Sequence, residues 1–275
     1  MKFQLKNTIA ILALTFLFVS CSSDDDSFSV TEGTSGDVEL YFDNGVNGDA
    51  LILGSTYTNS NGESLTINRL NYIISNVVLI KEDGTEYTYP KEESYFVISA
   101  EGNLLTAHLE NVPAGDYTQL KFGIGVDEQR YLQGETAQQS FWDLATEYNL
   151  TWTWSTGYRF INFEGTYTSS EVDGEKTFQV HQGSNTATDN YREVTLLLPT
   201  TARVREGEMP NIHLKTDANV ILDGVNKIKL ADNINEAQTA TAIMGGENLI
   251  TIAENTLNMF VVDHVHNGGH SSHQD

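Results

Sequence analysis

Short runs in which apolar and polar residues alternate recur along most of the chain, and they predict β-strands. Alternation over about four to eight residues marks a strand with one buried face, because successive side chains of a strand point to opposite sides. Residues typical of turns, mainly Gly, Asn, Asp and Pro, separate the runs. The predicted strands are Val38–Phe42, Leu51–Leu53, Leu65–Ile80, Glu86–Tyr89, Tyr95–Ile98, Leu104–Leu109, Tyr117–Val126, Tyr158–Tyr167, Lys176–His181, Val194–Leu198 and Asn211–Thr216.

Two regions carry a further local signal. Within Leu65–Ile80 the alternation changes phase near Asn71, which predicts a β-bulge or a strand that switches faces. The segment Asp43–Asp49 contains Asn-Gly pairs and predicts a turn. Its oxygen-bearing side chains at alternate positions are also typical of calcium loops, but the downstream bidentate Glu of such loops is missing, so a turn is favoured.

Helical spacing appears in two places. The polar, Gln-rich segment Asp127–Asn149 interrupts the strands and predicts a long loop with one short helix, Ser140–Tyr148. Apolar residues in Glu247–Val262 recur at helical intervals and predict a C-terminal helix. Many short strands with little helix predict an all-β fold, an antiparallel β-sandwich with a short helix in a long loop and a C-terminal helix.

The beginning of the chain has the composition of an export signal. Lys2 and Lys6 supply positive charge, and the apolar run Ile9–Val19 is too short to span a bilayer as a permanent helix. The residues up to Ser20-Cys21 resemble a bacterial lipoprotein cleavage box. We therefore expect residues 1–20 to be a signal peptide and Cys21 to carry the lipid that anchors the protein to the membrane.

A polar, acidic segment follows the predicted lipid anchor. Ser22–Asp26 is similar to the surface-export signal of Bacteroidota lipoproteins, and it is also typical of a disordered acidic tether. We expect a tether and linker over residues 21–37, one folded domain over residues 38–267 and a histidine-containing tail over residues 268–275. The sequence thus predicts an outer-membrane lipoprotein exposed at the cell surface.

Composition narrows the classes of function. The chain has 275 residues, and 15 Lys and Arg against 38 Asp and Glu give a net charge of −23, which argues against nucleic acid as a partner. Cys21 is the only cysteine, so the folded part can hold neither a disulfide nor a thiolate metal site. The sequence contains no nucleophile elbow, phosphate loop, zincin helix or dinucleotide fingerprint, so we expect a binding module rather than an enzyme.

The aromatic stretch Thr151–Gly165 is the most distinctive part of the sequence. In an extended segment Trp152 and Trp154 would share one face, and Gly157 would permit a bend after them. His181 follows in Val-His-Gln-Gly. Paired aromatics beside one histidine fit either ordinary core packing or a metal or redox site.

Histidine is the best metal ligand available, because imidazole binds transition metals readily and the folded part has no thiol. His264 and His266 follow the predicted C-terminal helix directly, so we expect them to be held in place. His108 and His213 lie inside strand patterns and are expected to be core or surface residues. His270 and His273 belong to the predicted tail.

Several motifs together carry a resemblance to a known family. The chain resembles the MbnP-like family of secreted copper-binding proteins, which are related to copper-acquisition proteins of methane-oxidising bacteria. The motifs are Leu53-Gly54-x-x-Tyr57 with Asn61-Gly62, Leu70-Asn71-Tyr72-Ile73-Ile74-Ser75-Asn76-Val77, Val112-Pro113-Ala114-Gly115-x-Tyr117, Phe122-Gly123-Ile124-Gly125-Val126-Asp127, Trp152-x-Trp154-x-x-Gly157-Tyr158-x-Phe160 and His181-x-Gly183.

The resemblance implies a β-sandwich that binds copper in the periplasm or at the cell surface. It also implies that a tryptophan can be oxidised to kynurenine, in some relatives by a di-haem oxidase partner, and that kynurenine and histidines then bind the copper ion. In this chain those roles would fall on Trp154 or Trp152 and on His181. We expect the second imidazole from His264 or His266, if the C-terminal helix docks at that edge.

A second class of function is compatible with the same aromatics. A surface lipoprotein could capture glycans by stacking sugars on Trp142, Trp152 and Trp154, and such binding would need no histidine.

Overall fold

The computed structural model of the chain describes residues 29–152, 157–184 and 188–268. Five predictions therefore lie outside the described residues: the signal peptide, lipidation of Cys21, the surface-export signal at Ser22–Asp26, a role for Trp154, and the tail histidines His270 and His273. Among the described residues, no helix combines the length and the apolar composition that crossing a membrane requires.

Two β-sheets and a few short helices make up the described part of the chain. In chain order the strands are β1 (Ser35–Val46), β2 (Asp49–Ala50), β3 (Thr56–Thr58), β4 (Ser64–Lys81), β5 (Glu86–Thr88), β6 (Tyr95–Ser99), β7 (Thr106–Pro113), β8 (Gly115–Ile124), β9 (Ile161–Ser169), β10 (Val172–Gln182), β11 (Arg192–Val204), β12 (Asn211–Asp217), β13 (Ala240–Ile243) and β14 (Phe260–His266). The α-helices are α1 (Glu128–Tyr131), α2 (Gln139–Glu147), α3 (Val220–Asp223) and α4 (Glu247–Thr256).

The two sheets form a β-sandwich, as the sequence predicts. The smaller sheet has the order β14-β12-β1-β2, with β7 also paired to β1. The larger sheet has the order β11-β8-β4-β9-β10-β13, and the long strand β4 also pairs with β3, β5 and β6. Most pairings are antiparallel, but β1 pairs with β12 and β10 with β13 in parallel, which the sequence pattern did not indicate.

Large aromatic side chains fill the space between the sheets. Phe42 contacts Tyr72, Phe122 and Phe260 edge to face, with ring centroids 6.1 Å apart in each pair. All four rings are buried, and such contacts contribute about 0.5–1.5 kcal/mol each beyond the area that they bury. The hydroxyl of Tyr72 donates a hydrogen bond of 2.9 Å to the Asn44 side chain, which satisfies its polar end inside the core.

A second, smaller core covers the outer face of the larger sheet. It joins apolar residues of β4 and β6 to α2 and to the segment between α2 and β9. Its buried members are Ile73, Tyr95, Val97, Val126, Phe141, Ala145, Leu150, Tyr158 and Phe160. This packing fixes the Trp152 segment against strands β9 and β10.

The two predicted helices have different outcomes. The predicted helix Ser140–Tyr148 is confirmed, because α2 matches it within a residue at each end, but the same loop also contains α1, which the sequence did not predict. The predicted helix Glu247–Val262 is wrong in its second half. Helix α4 ends at Thr256, a turn follows, and β14 begins at Phe260. The β-branched valines of β14 favour the strand, so His264 and His266 lie in a strand and not after a helix.

The local predictions in β1 and β4 are confirmed in part. The turn predicted in Asp43–Asp49 is confined to Asn47-Gly48, where both residues have positive φ, and the residues before it belong to β1. The predicted irregularity in β4 occurs on both sides of Asn71. The β4–β9 pairing shifts between Ile67 and Arg69, and the β4–β8 pairing shifts between Ser75 and Val78.

Candidate metal centre

A row of three polar side chains crosses the larger sheet on its outer face. In the strand register Asn71 of β4 pairs with Asn162 of β9, and Asn162 pairs with His181 of β10. The alternation of β4 places Asn71 on the same face as Ile73 of the smaller core, while Tyr72 points into the sandwich. The exposed fractions of Asn71, Asn162 and His181 are 0%, 0% and 2%, so the row is buried.

Each member of the row keeps one polar atom without a hydrogen-bond partner. These atoms are Asn71 Oδ1, Asn162 Oδ1 and His181 Nδ1. The amide orientations follow from the neighbours, because Asn71 Nδ2 donates to the Tyr148 carbonyl at 2.9 Å and Asn162 Nδ2 donates to the Asn149 carbonyl at 3.1 Å.

An unpaired buried polar atom costs about 1–3 kcal/mol, so three in one row need a physical explanation. A bound water or ligand that hydrogen-bonds or coordinates these atoms would remove the cost. The row is therefore a candidate position for a bound water or ligand.

Glu164 determines which nitrogen of His181 is available. His181 Nε2 lies 2.6 Å from Glu164 Oε1, and Arg69 donates to the other carboxylate oxygen at 2.6 Å. Burial raises the pKa of Glu164, but the hydrogen bond with His181 and the charge of Arg69 outweigh burial and hold the pKa below its usual value. The ionised carboxylate can only accept, so His181 donates from Nε2 and its lone pair is on Nδ1.

The environment of His181 favours its neutral form. Burial lowers the pKa of His181 below its usual value, and the positive charge of Arg159 lowers it further, although the hydrogen bond with Glu164 acts in the opposite direction. Neutral imidazole is the form that binds a metal ion. The hydrogen bond to Glu164 is the kind of outer contact that fixes the ring orientation of metal-binding histidines.

Trp152 lies beside His181, with ring centroids 6.0 Å apart and ring planes inclined by 62°. The guanidinium of Arg159 stands over the indole at 5.1 Å from the ring centroid. The backbone N–H of Trp152 donates to the Gly157 carbonyl at 3.1 Å. Gly157 has a φ of 141°, a value that few residues other than glycine adopt, so the glycine explains how the segment turns back here.

The Gly183 position explains the His-x-Gly motif. A Cβ atom added at Gly183 would lie 2.4 Å from the carbonyl oxygen of Tyr158, which real contacts do not allow. Next to it, Phe160 N–H donates to the Gln182 carbonyl at 2.6 Å. The glycine therefore lets the end of β10 approach the Trp152 segment closely, and this approach holds His181 and Trp152 together.

A sequence model of the MbnP family matches residues 35–244. The match includes Trp152, His181 and all three strands of the polar row. The chain belongs to the MbnP family.

Two further comparisons with known proteins give little more. The solved structure of MbnP from Methylosinus trichosporium is similar at a TM-score of 0.46 and 13% sequence identity, over 78% of this chain and 82% of that chain. No match was found among curated proteins.

The other predicted histidines of this MbnP-family chain lie in the smaller sheet. His264 of β14 contacts both His266 of the same strand and His213 of β12. His108 is half-exposed on β7, with Nε2 3.8 Å from an Asp37 carboxylate oxygen. The family match ends before β14, so His264 and His266 lie beyond it.

The structure does not bring His264 or His266 to His181. Asn267, directly after β14, donates to the Thr201 carbonyl and accepts from the backbone N–H of Arg203, so this end of β14 lies against β11. Strands β8, β4 and β9 separate β11 from β10 in the larger sheet. Four spacings of about 4.8 Å amount to roughly 19 Å along the sheet, far beyond the span of one metal site.

Sequence reasoning singled out Trp152 and His181, which the structure places side by side, but it did not indicate the groups around them. The charges there are balanced, because Arg69 and Arg159 face Glu101 and Glu164. Among the described residues, no three His, Cys, Asp or Glu side chains are placed to hold a metal ion together. The change of phase near Asn71 was the one available signal that a polar side chain of β4 lies in a buried position.

Proposed function

We propose that this MbnP-family protein binds copper at His181 and Trp152, in the cell envelope, for copper acquisition or handling. The family is linked to copper handling. The observation that carries the proposal is the geometry of His181, a buried imidazole whose Nε2 is held by Glu164 and whose Nδ1 has no hydrogen-bond partner. Its neighbour is Trp152, which belongs to the motif of paired tryptophans.

The donor chemistry of this site suits copper better than other common metals. Imidazole nitrogen binds copper strongly, and Cu²⁺ stands at the top of the affinity order of divalent first-row ions. The carbonyl oxygens of Asn71 and Asn162 are hard ligands, so we assign them the role of accepting hydrogen bonds from groups bound in the site. Because the charges at the site are balanced, the site itself does not attract cations. The attraction comes from the net negative charge of the whole protein.

Trp152 can become a ligand only after oxidation. Unmodified indole has an N–H donor and no lone pair for a metal ion. Oxidative opening of the ring would break the C2–C3 bond and add two oxygen atoms, supplied by two molecules of hydrogen peroxide that leave as two waters, with a di-haem partner as the oxidase. Hydrolysis of the resulting N-formyl group would then release formate. The product, kynurenine, has an aromatic amine that can bind copper beside His181.

The cellular location forms a separate part of the proposal. We infer that Cys21 is lipidated and that the protein is an outer-membrane lipoprotein. Labelling of cells with a fatty-acid analogue tests this inference. Wild-type protein should take up the label and Cys21→Ser should not, and equal labelling would contradict lipidation of this residue.

Glycan capture receives less support from the positions of the aromatic residues. Trp142 packs against Tyr158 with ring centroids 5.1 Å apart, and Trp152 is covered by Arg159. Both tryptophans are half-buried, so neither offers an open platform for a sugar ring. Glycan binding that survives chelation of metals and the His181→Ala substitution would favour this alternative over copper.

Copper titration of the full chain tests the proposed function. His181→Ala should bind one equivalent of copper fewer than wild type, and the matched control His108→Ala should bind as much as wild type, because His108 is half-exposed on the other sheet. Circular dichroism should show that both variants are folded. Equal stoichiometry and affinity in wild type and His181→Ala would contradict the proposal.

A further inference from the structure

Three histidines lie together on the outer face of the smaller sheet. His213 of β12 and His264 of β14 are register partners, and their ring centroids are 4.5 Å apart. The rings of His264 and His266 are 4.6 Å apart. On β12 the core residues Ile212 and Leu214 flank His213, so the imidazole points away from the sandwich core.

A bulge brings carboxylates to the same surface. The pairing of β12 with β14 shifts between His213 and Leu214, which leaves Asp263 as the extra residue of β14. As a result Asp263 and His264, although adjacent in sequence, contact each other on this face, with Oδ2 and Nδ1 2.8 Å apart. Asp43 of β1 contributes a second carboxylate oxygen 3.5 Å from His213 Nε2.

We propose that His213, His264 and His266 form a second metal site, separate from His181, for a divalent first-row transition cation. Imidazole suits Cu²⁺, Zn²⁺ and Ni²⁺, and the carboxylates of Asp43 and Asp263 add negative charge beside the rings. Among the described residues that contact the cluster, Lys215 is the one with a positive charge. Its Nζ donates to Asp263 Oδ1 at 2.6 Å, so this carboxylate neutralises the lysine.

The strand geometry allows chelation by these residues. Register partners have Cβ atoms about 4.5–5.5 Å apart, and residues two apart on a strand are separated by about 6.6 Å. Both separations let two imidazoles reach one ion at nitrogen–metal distances of about 2.0–2.1 Å.

The rings must turn to reach this arrangement, because no three ligand side chains of the described residues already converge on one point. His264 has a side-chain exposure of 38% and His266 is exposed, so both can change rotamer without opening the core.

Metal titration in a defined background tests this site. The background is the full chain without a purification tag, carrying His181→Ala to remove the first site and His270→Ala/His273→Ala to remove the tail imidazoles. Into this background we would introduce either His213→Ala or His264→Ala/His266→Ala, with His108→Ala as the matched control on the same sheet.

The background protein and the His108→Ala control should each bind one equivalent of Zn²⁺ or Cu²⁺ in competition with a chromogenic chelator. His213→Ala and His264→Ala/His266→Ala should both lose it. Absence of binding in the background protein, or equal binding in the test variants and the control, would overturn the second site. Because His181 is already replaced, neither outcome bears on the proposed function.

A second measurement keeps His213, His264 and His266 unsubstituted, so its result does not depend on whether the test variants fold. Substoichiometric Cu²⁺ broadens the nuclear magnetic resonances of nearby imidazoles through its unpaired electron. In the background protein the signals of His213, His264 and His266 should broaden together while that of His108 stays sharp. Equal broadening of His108 and the cluster would contradict a specific site.

Discussion

His181 donates its Nε2 proton to Glu164, with 2.6 Å between the nitrogen and the carboxylate oxygen, in a part of the sheet where the histidine is buried. The contact fixes the tautomer, because the carboxylate can only accept. It leaves Nδ1 as the nitrogen that can bind a ligand. Arg69 in turn holds Glu164, so the orientation of the imidazole depends on a chain of charged contacts rather than on packing alone.

Replacing Glu164 by Gln should weaken copper binding while the fold is kept. The amide keeps the shape but can present either an oxygen or a donor to Nε2, so the tautomer is no longer imposed. Loss of such an outer partner typically lowers metal affinity about 10–100-fold. Glu171→Gln is the matched control, because Glu171 forms an ion pair with Lys229 in the turn between β9 and β10. Equal affinity in Glu164→Gln and the control, measured by chelator competition, would show that Glu164 does not position the ligand.

Trp152 should be the modified residue if the protein carries kynurenine. Protein from its native host should then show a tryptic peptide containing residue 152 with one carbon exchanged for one oxygen. Trp152→Phe should lose this modification and bind copper more weakly, because phenylalanine cannot supply an amine. Trp142→Phe should keep both, since Trp142 packs against Tyr158, whereas Trp152 packs against His181. A modified mass confined to residue 154 would move the role to that tryptophan.

Much of the architecture and half of the site follow from sequence patterns, for physical reasons that differ between elements. Strand alternation predicts the sandwich because burial of one sheet face imposes it. Trp152 and His181 stand out because tryptophan and histidine have distinctive chemistry. The polar row cannot be predicted in this way, because the alignment of Asn71 with Asn162 depends on the irregular pairing of β4, which only the folded sheet reveals.

The C-terminal histidines illustrate a second limit. The apolar spacing of Glu247–Val262 continues a helical pattern beyond the true end of α4. Periodicity over a short apolar run cannot separate a helix from a buried strand. The pairing of His213 with His264 joins strands far apart in the chain, so no local pattern indicates it.

Adding one methyl group at Gly183 should disturb both stability and the site. The new Cβ would lie 2.4 Å from the Tyr158 carbonyl oxygen, and backbone on both sides must move to relieve the clash. We expect Gly183→Ala to lower the free energy of unfolding by about 1–3 kcal/mol in chemical denaturation. It should also weaken copper binding, because His181 and Trp152 move apart.

Gly245→Ala is the control, since no atom lies within 4 Å of a Cβ there, and its stability should stay within about 0.5 kcal/mol of wild type. Wild-type stability in Gly183→Ala would refute the close approach.

Asp127 should stabilise the fold in a pH-dependent way. Burial raises the pKa of this carboxyl, but hydrogen bonds from Lys91, Tyr95 and Asn76 outweigh burial and lower the pKa to about 2, from 3.8. A lowered folded-state pKa means that the stabilisation is complete above the unfolded pKa and is lost as the pH falls through the folded pKa.

Asp127→Asn should therefore cost about 2 kcal/mol near neutral pH, and the difference from wild type should shrink between pH 3.8 and pH 2. Urea unfolding over this range measures the difference. The exposed Asp232→Asn serves as the control and should stay near wild type throughout. A difference for Asp127→Asn that does not change with pH would contradict the assigned role of its charge.

The position of a bound copper ion is the decisive test of copper binding at His181. Crystals of copper-loaded protein from the native host, measured at the copper absorption edge, give an anomalous difference peak at each bound ion. We expect a peak within bonding distance of His181 Nδ1 and beside the side chain of residue 152. Copper found only elsewhere, for example at His213 and His264 with no density at His181 Nδ1, would contradict it.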